Sequence, residues 1–79
     1  MDINNIKYIL NKWFEKYSSG IPEDSQDYFI SEYVDSFTVI TLVNYCEDEF
    51  NIKFNTTDFQ HNEFKTIDGL AKCISNKLN

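Results

Sequence analysis

Asp35-Ser36-Phe37 is where chemistry could begin in this chain, because it joins a polar, irregular segment to a helix-forming run from Phe37 to Phe50. A serine at such a junction has its hydroxyl outside the helix, beside free backbone N–H groups and the positive end of the helix dipole, a setting that favours a phosphate ester. The dipeptide Asp-Ser carries little by itself, since at average composition about one chain in four of this length would contain it. An ordinary N-cap serine is the competing reading, and on local physics alone the commoner one.

Other reactive side chains offer less. The one histidine, His61, sits in a polar Gln60-His61-Asn62 stretch with no cysteine or serine partner in sequence, so it reads as a solvated loop residue and no catalytic residue is assigned. Glu47-Asp48-Glu49 supplies adjacent carboxylates, but neighbours on a helix point in different directions, and no EF-hand spacing or His/Cys cluster accompanies them. No metal site follows; the run is either a solvated acidic end or a docking surface for a basic partner. Cys46 and Cys73 lack CxxC spacing and read as small, mostly buried hydrophobes. With no apolar leader ahead of the domain, a reducing cytoplasm is the expected location.

The elements that must hold Ser36 follow from periodicity. Ile3, Ile6, Ile9, Leu10, Trp13, Phe14 and Tyr17 recur at three- and four-residue steps, which predicts an amphipathic helix ending at Ser18-Ser19-Gly20 ahead of Pro22. From Ser18 to Asp35 the chain is rich in Ser, Asp and Glu, yet carries Ile21, Tyr28, Phe29, Ile30, Tyr33 and Val34, and it reads as a long loop pinned by those side chains. A second helix is expected from Ser36 to about Asn51, with Phe37, Ile40, Val43 and Phe50 along its inward side and Val39, Leu42 and Cys46 beside them. Asn55-Thr56-Thr57-Asp58 reads as a capping box for a short turn ending near Phe59 or His61, and Thr66 as the N-cap of a last helix striped by Ile67, Leu70, Ile74 and Leu78. Gly69 inside that helix costs about 1 kcal/mol relative to Ala. The sum is a small all-α bundle of three main helices and one short one.

Composition bounds the partners. At 79 residues the chain has room for one core, so residues 1–79 form a single domain, expected to be monomeric. A net charge of −6 disfavours nucleic acid and anionic membrane and favours basic protein surfaces. No run approaches the ~18 apolar residues of a membrane span.

The stretch DSFTVITLVNYCEDEFNIKF, followed by TTDF, NEF and KTIDGLAKCI, resembles the acyl and peptidyl carrier proteins. The likeness runs from Asp35 to Leu78, in register with D-alanyl- and peptidyl-type carriers; the first thirty residues match only in kind. It implies a four-helix carrier bundle with a short third helix and a long loop between the first two. It also implies that Ser36 bears 4′-phosphopantetheine and that Asp35 places the serine and binds the Mg²⁺ used by the phosphopantetheinyl transferase. Phe37 would lie near the arm. The chain would then hold an acyl or aminoacyl thioester and present it to loading and transferring enzymes without catalysing a reaction itself. Docking is expected to use Phe37, Ile40 and Thr41 at the start of the second helix and Glu47 and Asp48 at its acidic end.

Two positions depart from the pattern: Glu32 stands where carriers often have Gly, and Thr38 and Thr41 stand where fatty-acid carriers place acidic residues. The second departure leans toward a D-alanyl or other aminoacyl carrier in cell-envelope or peptide synthesis. A core crowded by Phe50, Phe54 and Phe64 points the same way, because a closely packed interior has no spare volume for a long chain. The rival of another class is an acidic helical interaction module that is never modified.

Overall fold

Asp2 opens the first helix, α1 (Ile3–Tyr17), its carboxylate accepting from the Asn4 N–H at 3.3 Å. In this computed structural model, which describes residues 1–78, the apolar steps of α1 become a buried face of Ile6, Leu10, Trp13 and Phe14. The helix stops at Ser18, whose hydroxyl donates to the Tyr33 carbonyl at 2.7 Å and ties the end of α1 to the end of the following loop.

α2 (Ser36–Phe50) ends at Asn51, which takes the left-handed conformation (φ 54°, ψ 52°) that asparagine tolerates better than most residues. The predicted capping box is present at α3 (Thr56–Gln60): Asn55 accepts from the Asp58 N–H at 3.0 Å, and the Asp58 carboxylate accepts from the Asn55 N–H at 2.7 Å. A 3-10 turn, Asn62–Lys65, which periodicity does not reveal, follows directly. Thr66 then caps α4 (Ile67–Leu78), its hydroxyl accepting from the Gly69 N–H at 2.9 Å. The result is an all-helical bundle of four helices, the third short, and the described residues include no strand.

α1 packs on α4, bringing Ile6, Leu10 and Phe14 into one core with Ile67, Leu70, Ala71 and Ile74. Fully burying such a side chain contributes about 1.5–3 kcal/mol. From α2 the core receives Leu42, Cys46 and Phe50, with Val39 and Val43 half-buried against it, so of the expected inward line Phe37, Ile40, Val43 and Phe50 the first two are corrected. Phe37 is 80% exposed and Ile40 59%. The physical reason is that α2 is apolar around most of its circumference, so spacing alone could not select which stripe meets α1 and α4.

The loop from Ser18 to Asp35 is pinned, but by fewer side chains than expected. Tyr28 and Val34 are buried, Phe29 and Tyr33 half-buried, and Ile21 and Ile30 exposed. Polar bonds supply the rest. Asp24 accepts the Asp68 N–H on its carbonyl at 2.9 Å, and Lys7 of α1 pairs with Asp24 at 3.2 Å and Asp68 at 2.8 Å. Among the described residues no helix is long and apolar enough to cross a membrane.

Candidate functional site

Asp35 has extended backbone and caps α2, one carboxylate oxygen accepting from the Phe37 N–H at 3.0 Å and the Thr38 N–H at 2.7 Å. Those bonds, the Thr38 N–H foremost, hold the Asp35 carboxyl below the usual carboxylate range. Ser36 is therefore the first residue of the helix and not its cap, which leaves its exposed hydroxyl uncommitted to capping. The same arrangement corrects one expectation: the Phe37 and Thr38 N–H groups are not free to grip a phosphate, because Asp35 already occupies them. A phosphodiester on Ser36 fits by projecting into solvent from the helix start, held by its covalent bond.

The approach to Ser36 is set by the loop. Asp27 accepts from the Phe29 and Ile30 N–H groups at 2.9 and 3.0 Å, and the Tyr28 carbonyl accepts from Tyr33 and Val34 at 3.0 and 3.1 Å. Between them Glu32 is left-handed, φ 64°. That is the conformation glycine adopts freely, so the position keeps a glycine-like backbone although a glutamate stands there.

Beside Ser36 lies an open apolar cleft of about 630 Å³. Val39, Ile40 and Val43 of α2 form one wall, Asp27, Phe29 and Ile30 of the loop another, and Phe59, Phe64 and Lys65 the third. Ser36, Val39, Ile40 and Val43 are three and four residues apart, so they share one helix stripe, and the cleft begins a single turn from the serine. The cleft is open to solvent, with Ile30, Ile40 and Phe59 exposed, so it offers room beside α2 and not within the packed interior. Phe54, Phe59 and Phe64 cluster, with centroids 5.0–6.1 Å apart.

Of the expected docking residues, Phe37, Ile40 and Thr41 are exposed within two turns of Ser36. Asp48 is exposed at the far end of α2, about 18 Å along the axis at 1.5 Å per residue. Glu47 is half-buried and turned to internal use, accepting from the Phe54 N–H at 2.9 Å. His61 is exposed where α3 ends. Cys46 is fully buried, which pushes its thiol up to about 12, and Cys73 is half-buried with its sulfur 3.7 Å from an Asp58 oxygen. Sequence reasoning missed Tyr28 as the tie between loop and 3-10 turn; a large aromatic in a polar loop was its one visible signal.

A search of curated proteins and one of solved structures gave no match. A family model described as the phosphopantetheine attachment site matches residues 16–74, reaching from the end of α1 through the loop, α2 and α3 and into α4. That span takes in the loop ahead of Asp35 as well as the stretch from Asp35 onward, and proteins of the family carry 4′-phosphopantetheine covalently on a serine. With well over half of its length matched, the chain belongs to the phosphopantetheine-attachment family of acyl and peptidyl carrier proteins.

Proposed function

We propose that this single-domain chain is a carrier whose 4′-phosphopantetheine is esterified to Ser36, and whose cargo is an acyl group lodged in the cleft along α2. The arm supplies a terminal thiol that holds the cargo as a thioester. The protein contributes placement: Asp35 fixes the start of α2, Ser36 presents its hydroxyl to the transferase, and tethering raises the local concentration of cargo at whichever enzyme is docked. No acid, base or oxyanion donor is asked of the chain, so its role is carriage and not catalysis.

The observation that carries this reading is the position of Ser36, exposed at the head of a helix stripe that continues into the apolar cleft. The cleft also favours an apolar acyl group over the aminoacyl cargo that Thr38 and Thr41 suggested, since most of its lining is hydrocarbon and its one carboxylate, Asp27, already accepts from the Phe29 and Ile30 N–H groups. Phe37, Ile40 and Thr41 are the proposed contact residues for partner enzymes, with Asp48 steering from the far end.

Incubation with coenzyme A and a broad-specificity phosphopantetheinyl transferase should add one phosphopantetheine to the wild-type chain by intact mass. Ser36→Ala should add none while keeping its helical circular dichroism, and Ser31→Ala, in the loop, should behave as wild type. Modification that persists in Ser36→Ala would overturn the assignment, and a wild-type chain that is never modified would favour the interaction module.

A further inference from the structure

Tyr28 joins two of the three walls of the cleft without lining it. Its side chain is fully buried, tilted against Phe14 of α1 at 5.3 Å between centroids and against Phe29 at 5.6 Å. Its hydroxyl donates to the Phe64 carbonyl, and its N–H donates to the Lys65 carbonyl at 2.9 Å. Burial raises the phenol far above its ordinary range, so it remains a donor at any physiological pH.

The consequence is geometric. Phe29, immediately after Tyr28, belongs to the loop wall, while Phe64 and Lys65 are the 3-10 wall, and all three face the cleft. The N–H bond to Lys65 is main chain at both ends, and the hydroxyl bond carries the Tyr28 side chain across to the Phe64 carbonyl, so the two together set the separation of the walls. α2 forms the remaining wall and is held in turn through the Tyr28 carbonyl, which binds Tyr33 and Val34 just ahead of Asp35.

We propose that Tyr28 is a specificity-determining residue: by clamping the loop wall to the 3-10 wall it fixes the spacing of the cleft walls, and so sets how far the cleft shields a long, flexible acyl chain in preference to a short, rigid one. This rests on the reading that the cleft receives cargo. Tyr28 touches neither arm nor cargo and acts only through Phe29 and Phe64.

The test loads wild-type and Tyr28→Phe chains with octanoyl or benzoyl groups, using a transferase and the corresponding acyl-coenzyme A. Thioester cleavage by hydroxylamine is then followed by intact mass, each rate divided by that of the same coenzyme A thioester. Wild type should protect octanoyl several-fold better than benzoyl, and Tyr28→Phe should bring that ratio close to one. Loss of stability alone would lower both protections together, so the ratio separates a clamp from a merely structural tyrosine. If Tyr28→Phe loses its helical spectrum, both proteins are compared in trimethylamine N-oxide, which favours the folded state without restoring the hydroxyl bond to Phe64, and the ratio should still fall in the variant. A wild-type ratio retained in the folded variant overturns the clamp and leaves the cargo reading standing. Equal cleavage of both cargoes at the coenzyme A rate in wild type overturns the cargo reading, and the clamp with it.

Discussion

The carbonyl of Glu63 occupies the space that a Cβ on Gly69 would need. α4 therefore runs in its first turn against the backbone of the 3-10 turn, and the obstacle is main chain that cannot swing aside. On helix propensity alone, Gly69→Ala should gain about 1 kcal/mol. Overpacking of this kind costs about 1–3 kcal/mol, and the backbone origin of the clash puts it at the upper end. The expected outcome is a net loss of roughly 1–2 kcal/mol, a fall in Tm of about 5–10 °C for a domain of this size. Thermal unfolding followed by circular dichroism decides it, and an unchanged or raised Tm would show that the 3-10 turn yields.

Asp35 has two separable jobs, since the cap needs only an acceptor whereas an ionic role in modification needs the charge. Asp35→Ala should lose about 1 kcal/mol of stability by removing the cap of α2, and Asp35→Asn much less. Both variants should be modified more slowly at Ser36 if the carboxylate charge assists the transferase. Denaturant unfolding and modification rates, measured on the same samples, separate the two; an Asn variant modified at the wild-type rate would reduce Asp35 to a cap.

Much of this arrangement could be read from the residues, because local signals and tertiary demands agree there. Asn55 with Asp58, and Thr66, are short polar side chains that cap whatever follows them, so two helix starts lay in the open, whereas at α2 the residues offered Ser36 as the cap and the structure gives that role to Asp35. Which face of α2 turns inward did not. Its stripes of Phe37-Ile40 and Leu42-Cys46 are both apolar, and only the meeting of α1 with α4 selects the second. Tyr28 was visible as an anchor, but a hydrogen bond to Phe64, thirty-six residues away, leaves no periodicity in the sequence. The cleft is the joint product of those two hidden facts.

Glu32 offers a direct check on the loop. A non-glycine residue at φ 64° costs about 1–2 kcal/mol, partly offset in a glycine by the greater freedom it loses on folding. Glu32 is exposed, so Glu32→Gly should raise stability by roughly 0.5–1 kcal/mol. Glu32→Val should lower it, since a branched side chain is poorly tolerated in that region. Chemical denaturation of the three proteins gives the ranking Gly, Glu, Val, and any other order would mean that the loop leaves the left-handed turn.

Acid should weaken the bundle through its paired carboxylates. Burial pushes the Asp58 carboxyl up, but the Lys77 ammonium at 2.8 Å and the Asn55 N–H outweigh it and hold it below its ordinary value. Asp68 is held low by Lys7 and then Lys72. A carboxyl depressed in the folded state contributes stability that is fully present above its unfolded pKa of about 4 and is lost as pH falls through the folded value. Stability should therefore be level from neutral pH to about 5 and decline below it. Lys77→Met leaves Asp58 with its burial and without its cation, which removes the depression, so the variant should be less stable at neutral pH and lose less stability on acidification. Urea titrations from pH 7 down to pH 3 test this, and coincident curves for variant and wild type would show that the ion pair is screened.

Phe37 is large, apolar and 80% exposed one residue from Ser36, a placement that folding does not explain. Removing such a side chain from the surface should change stability by no more than about 0.5 kcal/mol. If it is a contact for partner enzymes, Phe37→Ala should nevertheless lower the rate of modification at Ser36 by tenfold or more, since a buried aromatic anchor at an interface is worth about 2 kcal/mol. Asp48, about 18 Å along α2, should behave differently: a rim charge acts on association rate and is screened over about 8 Å at physiological ionic strength. Asp48→Lys should slow modification modestly in low salt and match wild type in high salt, while the Phe37→Ala defect persists at every salt concentration. Modification kinetics across a salt series distinguish the two residues. A Phe37→Ala chain modified as fast as wild type would mean that the transferase reaches Ser36 without touching the exposed ring.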